Sequence, residues 1–165
     1  ARAAAGAMVL LIRRAQALME AAGDDGDFDA LCQQLHRYQA TLRTCFTLEN
    51  FDNLIKNGRM RPIVGTLLRS LGIHIIADAT AEGTIHVADK ARGVGKTYRA
   101  ITALMGTSKD CTDAEVVISH CENLEGAMAL KRQILADLPV KQVDLLSCRG
   151  LTSFYAMEKG LIVGY

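Results

Sequence analysis

Two places in the chain set an arginine beside a glycine: Asn57-Gly58-Arg59-Met60 and Lys90-Ala91-Arg92-Gly93. At the edge of an element, a guanidinium so placed can grip a carboxylate or a phosphate bidentately. The ordinary alternative is a solvated or ion-paired surface arginine. Directly after the second arginine, Gly93-Val94-Gly95-Lys96-Thr97 looks like the end of a phosphate-binding P-loop. That motif needs a glycine five residues before the Gly of its Gly-Lys-Thr, and the position is Lys90. A flexible, basic helix entry is the plainer reading, with a phosphotransferase as the alternative it leaves open.

Other reactive side chains form weaker patterns. His36, His74, His86 and His120 show no HxxxH or HExxH spacing. His74 and His86 could face each other across a hairpin, either as a metal pair or as cross-strand polar packing. Ser119 and His120 could belong to a nucleophilic triad, but no nucleophile elbow surrounds them. The acidic turn Gly23-Asp24-Asp25-Gly26-Asp27 lacks calcium-loop spacing. The five cysteines, Cys32, Cys45, Cys111, Cys121 and Cys148, form no CxxC knuckle and read as reduced thiols of a cytosolic protein. No constellation calls for a catalytic residue, a metal or a cofactor.

These groups need elements to hold them. Apolar spacing through Met8, Leu11, Ala15, Leu18 and Met19 predicts a helix over 3–22, closed by Gly23. A helix that begins so abruptly suggests a piece of a longer protein. Asp27 caps a second helix over 28–39, with Leu31, Leu35 and Tyr38 on one face. Residues 41–48 read as a strand, and Asn50 caps a short helix that ends at Gly58. A further helix is expected over 59–70. Strands over 73–78 and 84–89 form a hairpin turning at Glu82-Gly83. Helix 95–105, strand 115–119, a helix from a Ser119–Glu122 capping box to 138, strand 140–146, a short helix over 151–157 and strand 161–163 complete the chain. The alternation predicts a two-layer α/β sandwich, a mixed and mostly antiparallel sheet with helices packed on it, most simply on one face.

With 165 residues, the chain has the length of one domain spanning 1–165. Its 50% apolar and 22% charged composition excludes a disordered chain. Nineteen basic against 18 acidic residues, net +1, give no footprint for nucleic acid. No apolar run reaches the roughly 18 residues of a membrane span. Six methionines and 5% aromatics would suit a deformable aliphatic lining, although Met8, Met105, Met128 and Met157 are equally at home in a core.

The order of the pieces resembles a family. The stretch FDNLIKNGRM, the apolar VGTLLRSLGI, the hairpin AEGTIHVADKARG, a Lys-bearing helix and the closing GLTSFYAMEKGLIVGY are similar to the carboxy-terminal half of DegV-family proteins. The resemblance implies a two-domain, cytoplasmic, bacterial carrier of long-chain fatty acid, of which this chain would be the carboxy-terminal lipid-binding half. It implies no enzymatic activity, and as partners a fatty acid kinase and the chain's own amino-terminal domain. Arg59 would lie near the lipid carboxyl, and Arg92 would belong to the surface that docks the kinase. Many family members end with a His-containing H.GPG loop, whose His lies near that carboxyl. The stretch expected to match it reads Leu151-Thr152-Ser153-Phe154-Tyr155, without His. Thr152, Ser153 and Tyr155 would then supply a neutral hydrogen-bonding lid, or merely cap a short helix.

Overall fold

The computed structural model describes residues 4–24, 26–60, 72–80 and 84–165. Most of the helix expected over 59–70, and the Glu82-Gly83 turn, lie outside the described residues. Six strands, β1 (Thr44–Thr47), β2 (Ile73–Ala79), β3 (Ile85–Arg92), β4 (Glu115–His120), β5 (Gln142–Ser147) and β6 (Leu161–Gly164), form one sheet in the order β3-β2-β1-β6-β4-β5. Only β4 and β5 run parallel; the other neighbours are antiparallel. The mixed, mostly antiparallel α/β sheet with helices packed on it is the fold class that the sequence predicts.

The helices among the described residues are α1 (Ala5–Ala22), α2 (Phe28–Thr41), α3 (Asp52–Lys56), α4 (Val94–Ser108), α5 (Leu124–Asp137) and α6 (Gly150–Ala156). They divide between the two faces of the sheet instead of sharing one. Strand alternation explains this. Val116 and Ile118 of β4 turn towards Tyr98, Ile101 and Met105 of α4 and Leu130 and Ile134 of α5. Val117, between them, turns the other way and meets α1 at Gly6. Every central strand is apolar on both sides, so each side needs a cover.

Two local expectations change. The buried stripe of α1 is Gly6, Ala7, Leu10 and Leu11, while Met19 is exposed, because α1 lies on the sheet only through its first half. The α5 cap is not the Ser119–Glu122 box: β4 runs on to His120, and Asn123 Oδ1 accepts the Gly126 amide at 3.1 Å. Asp27 does cap α2, accepting the Asp29 amide at 2.9 Å.

Backbone meets backbone where α1 crosses β6. A Cβ on Gly164 would collide with the backbone of Gly6 and Ala7, and one on Gly6 with the Val117 carbonyl oxygen. Backbone cannot swing aside like a side-chain tip, and overpacking typically costs about 1–3 kcal/mol. Gly164→Ala should therefore lower stability by at least about 2 kcal/mol, read as a shifted urea midpoint at unchanged slope.

Candidate functional site

Elements distant in sequence meet beside the face of β1 and β2 that carries Phe46, Ile75 and Ala77. Those side chains cluster with Leu48, Phe51, Leu54 and Ala156, and Met60, Ile85, Val87, Tyr155 and Ile162 pack against them. Helix α3 forms because Asn50 Oδ1 accepts the Asp52 amide at 2.7 Å. It closes at Gly58, whose φ of 66° admits the left-handed turn expected there. The Arg59 amide then bonds the Leu54 carbonyl at 2.8 Å. That bond leaves Met60 on the apolar cluster and the Arg59 side chain in solvent, without an ion-pair partner among the described residues.

Helix α6 lies against α3. Asn53 Nδ2 donates to the Phe154 carbonyl at 2.6 Å, and Tyr155 enters the same cluster as Met60. Arg59 and the Thr152–Tyr155 segment are thus carried by two elements joined to each other. Thr152 and Ser153 are half-buried, and none of the three hydroxyls has a hydrogen-bond partner among the described residues. They do not cap α6 either, whose first turn receives no side-chain bond. Glycine-like backbone falls instead at Met157 (φ 52°) and Lys159 (φ 64°), just past the helix. No residue type signals it: a methionine and a lysine hide bends that glycines would have announced.

The remaining sequence candidates are placed elsewhere. Arg92 is exposed at the end of the edge strand β3, opposite Ile73 and two strands from β1. His74 and His86 do not face each other: His86 opposes Asp78 and bonds it at 3.0 Å, while His74 lies 3.6 Å from Glu49. The hairpin register instead pairs His74 with Ala91 and His86 with Asp78. Thr97 is buried and its hydroxyl donates to the Gly93 carbonyl at 3.0 Å, so it is spent on its own helix. Ser119 and His120 are buried at the end of β4, where the imidazole Nδ1 accepts the Asn123 amide at 3.4 Å. Of the methionines considered as lining, Met105 is in the α4 core and Met128 is exposed. Met60, named in the sequence analysis beside Arg59 and not as a lining methionine, packs on the α3–α6 cluster.

The floor beneath α6 is apolar. Cys121 and Cys148 pack against it from the ends of β4 and β5, and burial, reinforced by Cys121, pushes the Cys148 thiol up to about 11. Such a floor suits an aliphatic chain and not a charged one. Among the described residues no three His, Cys, Asp or Glu side chains could hold a metal, and no helix is long and apolar enough to cross a membrane.

Three comparisons bear on this geometry. The model of the DegV family, described as an uncharacterised protein family, matches residues 2–161. A DegV domain-containing protein of Streptococcus pneumoniae is 30% identical over 163 residues, 98% of this chain and 56% of the relative. One from Streptococcus gordonii is 31% identical over 138 residues, 84% of this chain and 49% of the relative. The chain therefore spans about half the length of the curated relatives it matches. Among solved structures, the fatty acid kinase (Fak) B3 protein of S. pneumoniae, loaded with linoleic acid, superposes with a TM-score of 0.90 at 29% identity. That match covers 99% of this chain and 57% of the other. A DegV-family protein of Ruminococcus gnavus, refined with vaccenic acid, gives 0.84 at 28% identity over 95% of this chain and 55% of that one.

The Cys148 environment makes a direct prediction. A thiol held near 11 carries about a hundredfold less thiolate at pH 8 than one at the ordinary value near 9. Site-resolved alkylation should find Cys148 slow at pH 8 and accelerating up to about pH 11. Labelling at the rate of an unperturbed thiol at pH 8 would show the floor to be wet.

Proposed function

Because the chain belongs to the DegV family, we propose that it binds a long-chain fatty acid as a non-enzymatic carrier and presents the carboxyl to a fatty acid kinase. The observation that carries the reading is the α3–α6 unit. An apolar cluster is bordered by an arginine and three hydroxyls that have no partner among the described residues, which is what an amphiphile with one polar end requires. The fatty acids in the S. pneumoniae and R. gnavus structures support the ligand class. The kinase partnership is supported by the designation of the former.

In this reading the tail lies along the face of Phe46, Ile75 and Val87. Each buried methylene contributes about 0.8 kcal/mol before the cost of association. Arg59, Thr152, Ser153 and Tyr155 border the carboxyl end, and Arg92 belongs to the kinase-facing surface. The chain is the carboxy-terminal half of a two-domain cytoplasmic protein, which its span of about half the relatives' length supports. The amino-terminal domain then closes the site. The phosphotransferase alternative gains nothing from the geometry. Lys90 occupies the position of the missing glycine, inside β3 and paired with Ile75, and the Thr97 hydroxyl is already bonded.

A charge-assisted hydrogen bond contributes about 1.5–3 kcal/mol, so Arg59→Ala in the full-length protein should weaken fatty-acid binding about tenfold or more. Thr152→Val with Ser153→Ala should weaken it as well. Affinity should change little between pH 6 and 8, since the Leu151–Tyr155 stretch carries no histidine. Millimolar Mg-ATP should leave the melting temperature where it is. Wild-type affinity in the Arg59 variant would remove α3 from the site, and a clear ATP-dependent stabilisation would favour the enzyme.

A further inference from the structure

Strand β1 presents opposite faces in consecutive residues. Phe46 faces the proposed lipid cluster, and Thr47 faces α4. Thr47 is 6% exposed, and its Oγ1, fully buried, has no hydrogen-bond partner among the described residues. A buried hydroxyl left without a partner is costly, and few occur without a reason. Thr47 lines a recess of about 30 Å³ together with Glu49, His74, Val94, Thr97, Tyr98 and Lys159. The recess runs along the first turn of α4, a 15-residue helix whose N-cap is Gly93 and which no side chain caps. The amides of Val94, Gly95 and Lys96 have no acceptor among the described residues. A Cβ built on Gly93 or Gly95 would meet nothing within 4 Å, so the approach to these amides is open.

We propose that this recess binds one phosphate-type oxyanion, either free phosphate or the phosphoryl end of a larger molecule. One oxygen enters the recess and accepts the Thr47 hydroxyl; a volume near 30 Å³ admits about one such atom and no more. The other oxygens lie towards the first turn of α4, where unpaired amides and the helix dipole favour negative charge. They also reach the adjoining groove of about 290 Å³ that shares Glu49 and Lys159 with the recess. Charges around the site set its selectivity. Glu49 lies 3.6 Å from His74 Nδ1, and Glu158 and Lys159 both line the groove. Lys159, which lines both recess and groove, and the α4 terminus supply positive potential for a single phosphoryl group. A polyphosphate would bring further charge against Glu49 and Glu158. Gly93-Val94-Gly95-Lys96 would thus serve a phosphate without being part of a nucleotide-binding loop.

The proposal does not rest on the fatty-acid reading, and one set of variants separates them. Full-length protein labelled with ¹⁵N is titrated with inorganic phosphate, with glycerol phosphate, and with chloride at matched ionic strength. Millimolar phosphate should shift the Val94, Gly95 and Lys96 amides beyond the chloride control. Thr47→Val should weaken phosphate binding about tenfold, Thr47→Ser should retain it, and Lys159→Met, which leaves the core intact, should weaken it too. In phosphate-free buffer, Thr47→Val should melt no lower than wild type. A response to both phosphates assigns the site to a terminal phosphoryl group, and a response to the inorganic ion alone assigns it to free phosphate. Fatty-acid affinity should be equal in all three variants. Amides that respond to phosphate no more than to chloride, or a Thr47→Val protein that binds phosphate like wild type, would overturn the proposal.

Discussion

Everything in this fold hangs on the pairing of β1 with β6. It joins Thr44 to Gly164, Cys45 to Val163, Phe46 to Ile162 and Thr47 to Leu161, and the Arg43 and Tyr165 backbones extend it by exchanging two hydrogen bonds at 2.7 and 3.1 Å. On one side lie β2 and β3, close to β1 in sequence; on the other lie β4 and β5. Without this seam the sheet is two three-stranded pieces. Contacts between residues so far apart in the chain are costly in loop entropy and must be held by specific register. Register is fixed by chemistry on both faces: a slip of one residue would send Phe46 into the α4 side and Thr47 into the apolar cluster.

The seam also builds the site. Helix α3 hangs from the end of β1 and α6 precedes β6, so antiparallel pairing brings the two helices to the same end of the sheet. Their contact through Asn53 and the Phe154 carbonyl follows from that geometry. The Arg59 and Tyr155 segments are neighbours for the same reason, although nearly a hundred residues separate them. Gly6 and Gly164 complete the arrangement from behind: with no side chains between them, α1 settles directly onto β6 and covers the half of the face that the apolar cluster leaves.

Much of this was legible in the sequence where the signal is local. Asp27 announces the α2 cap, Gly58 the end of α3, and the β-rich text flanking the hairpin its two strands. Fold class follows from the alternation of elements, and family from the order of loose motifs that no single one could specify. Signals failed where tertiary context decides. Ser119 and Glu122 have the residue types of a capping box, yet β4 runs on through Ser119 to His120 and the cap passes to Asn123. The two hairpin histidines depend on a register that composition cannot give. Helices on both faces follow from runs such as Val116-Val117-Ile118, whose uniform hydrophobicity says that both sides are covered but not by which helix.

The least legible feature is the state of Thr47. In sequence it is one threonine in a β-rich stretch, where β-branched residues are expected. Its neighbour Cys45 points to the same side of β1 and is simply buried, with its thiol held protonated by the surrounding apolar groups. Thr47 differs because it is the last residue of the strand, where α4 begins and the sheet no longer supplies packing atoms. A hydroxyl there is neither core nor surface. The chain could have placed valine at that position and filled the recess with carbon. Keeping an unpartnered oxygen beside three unpaired helix amides is a local conflict with good packing. Conflicts of that kind concentrate where something other than the fold is being served.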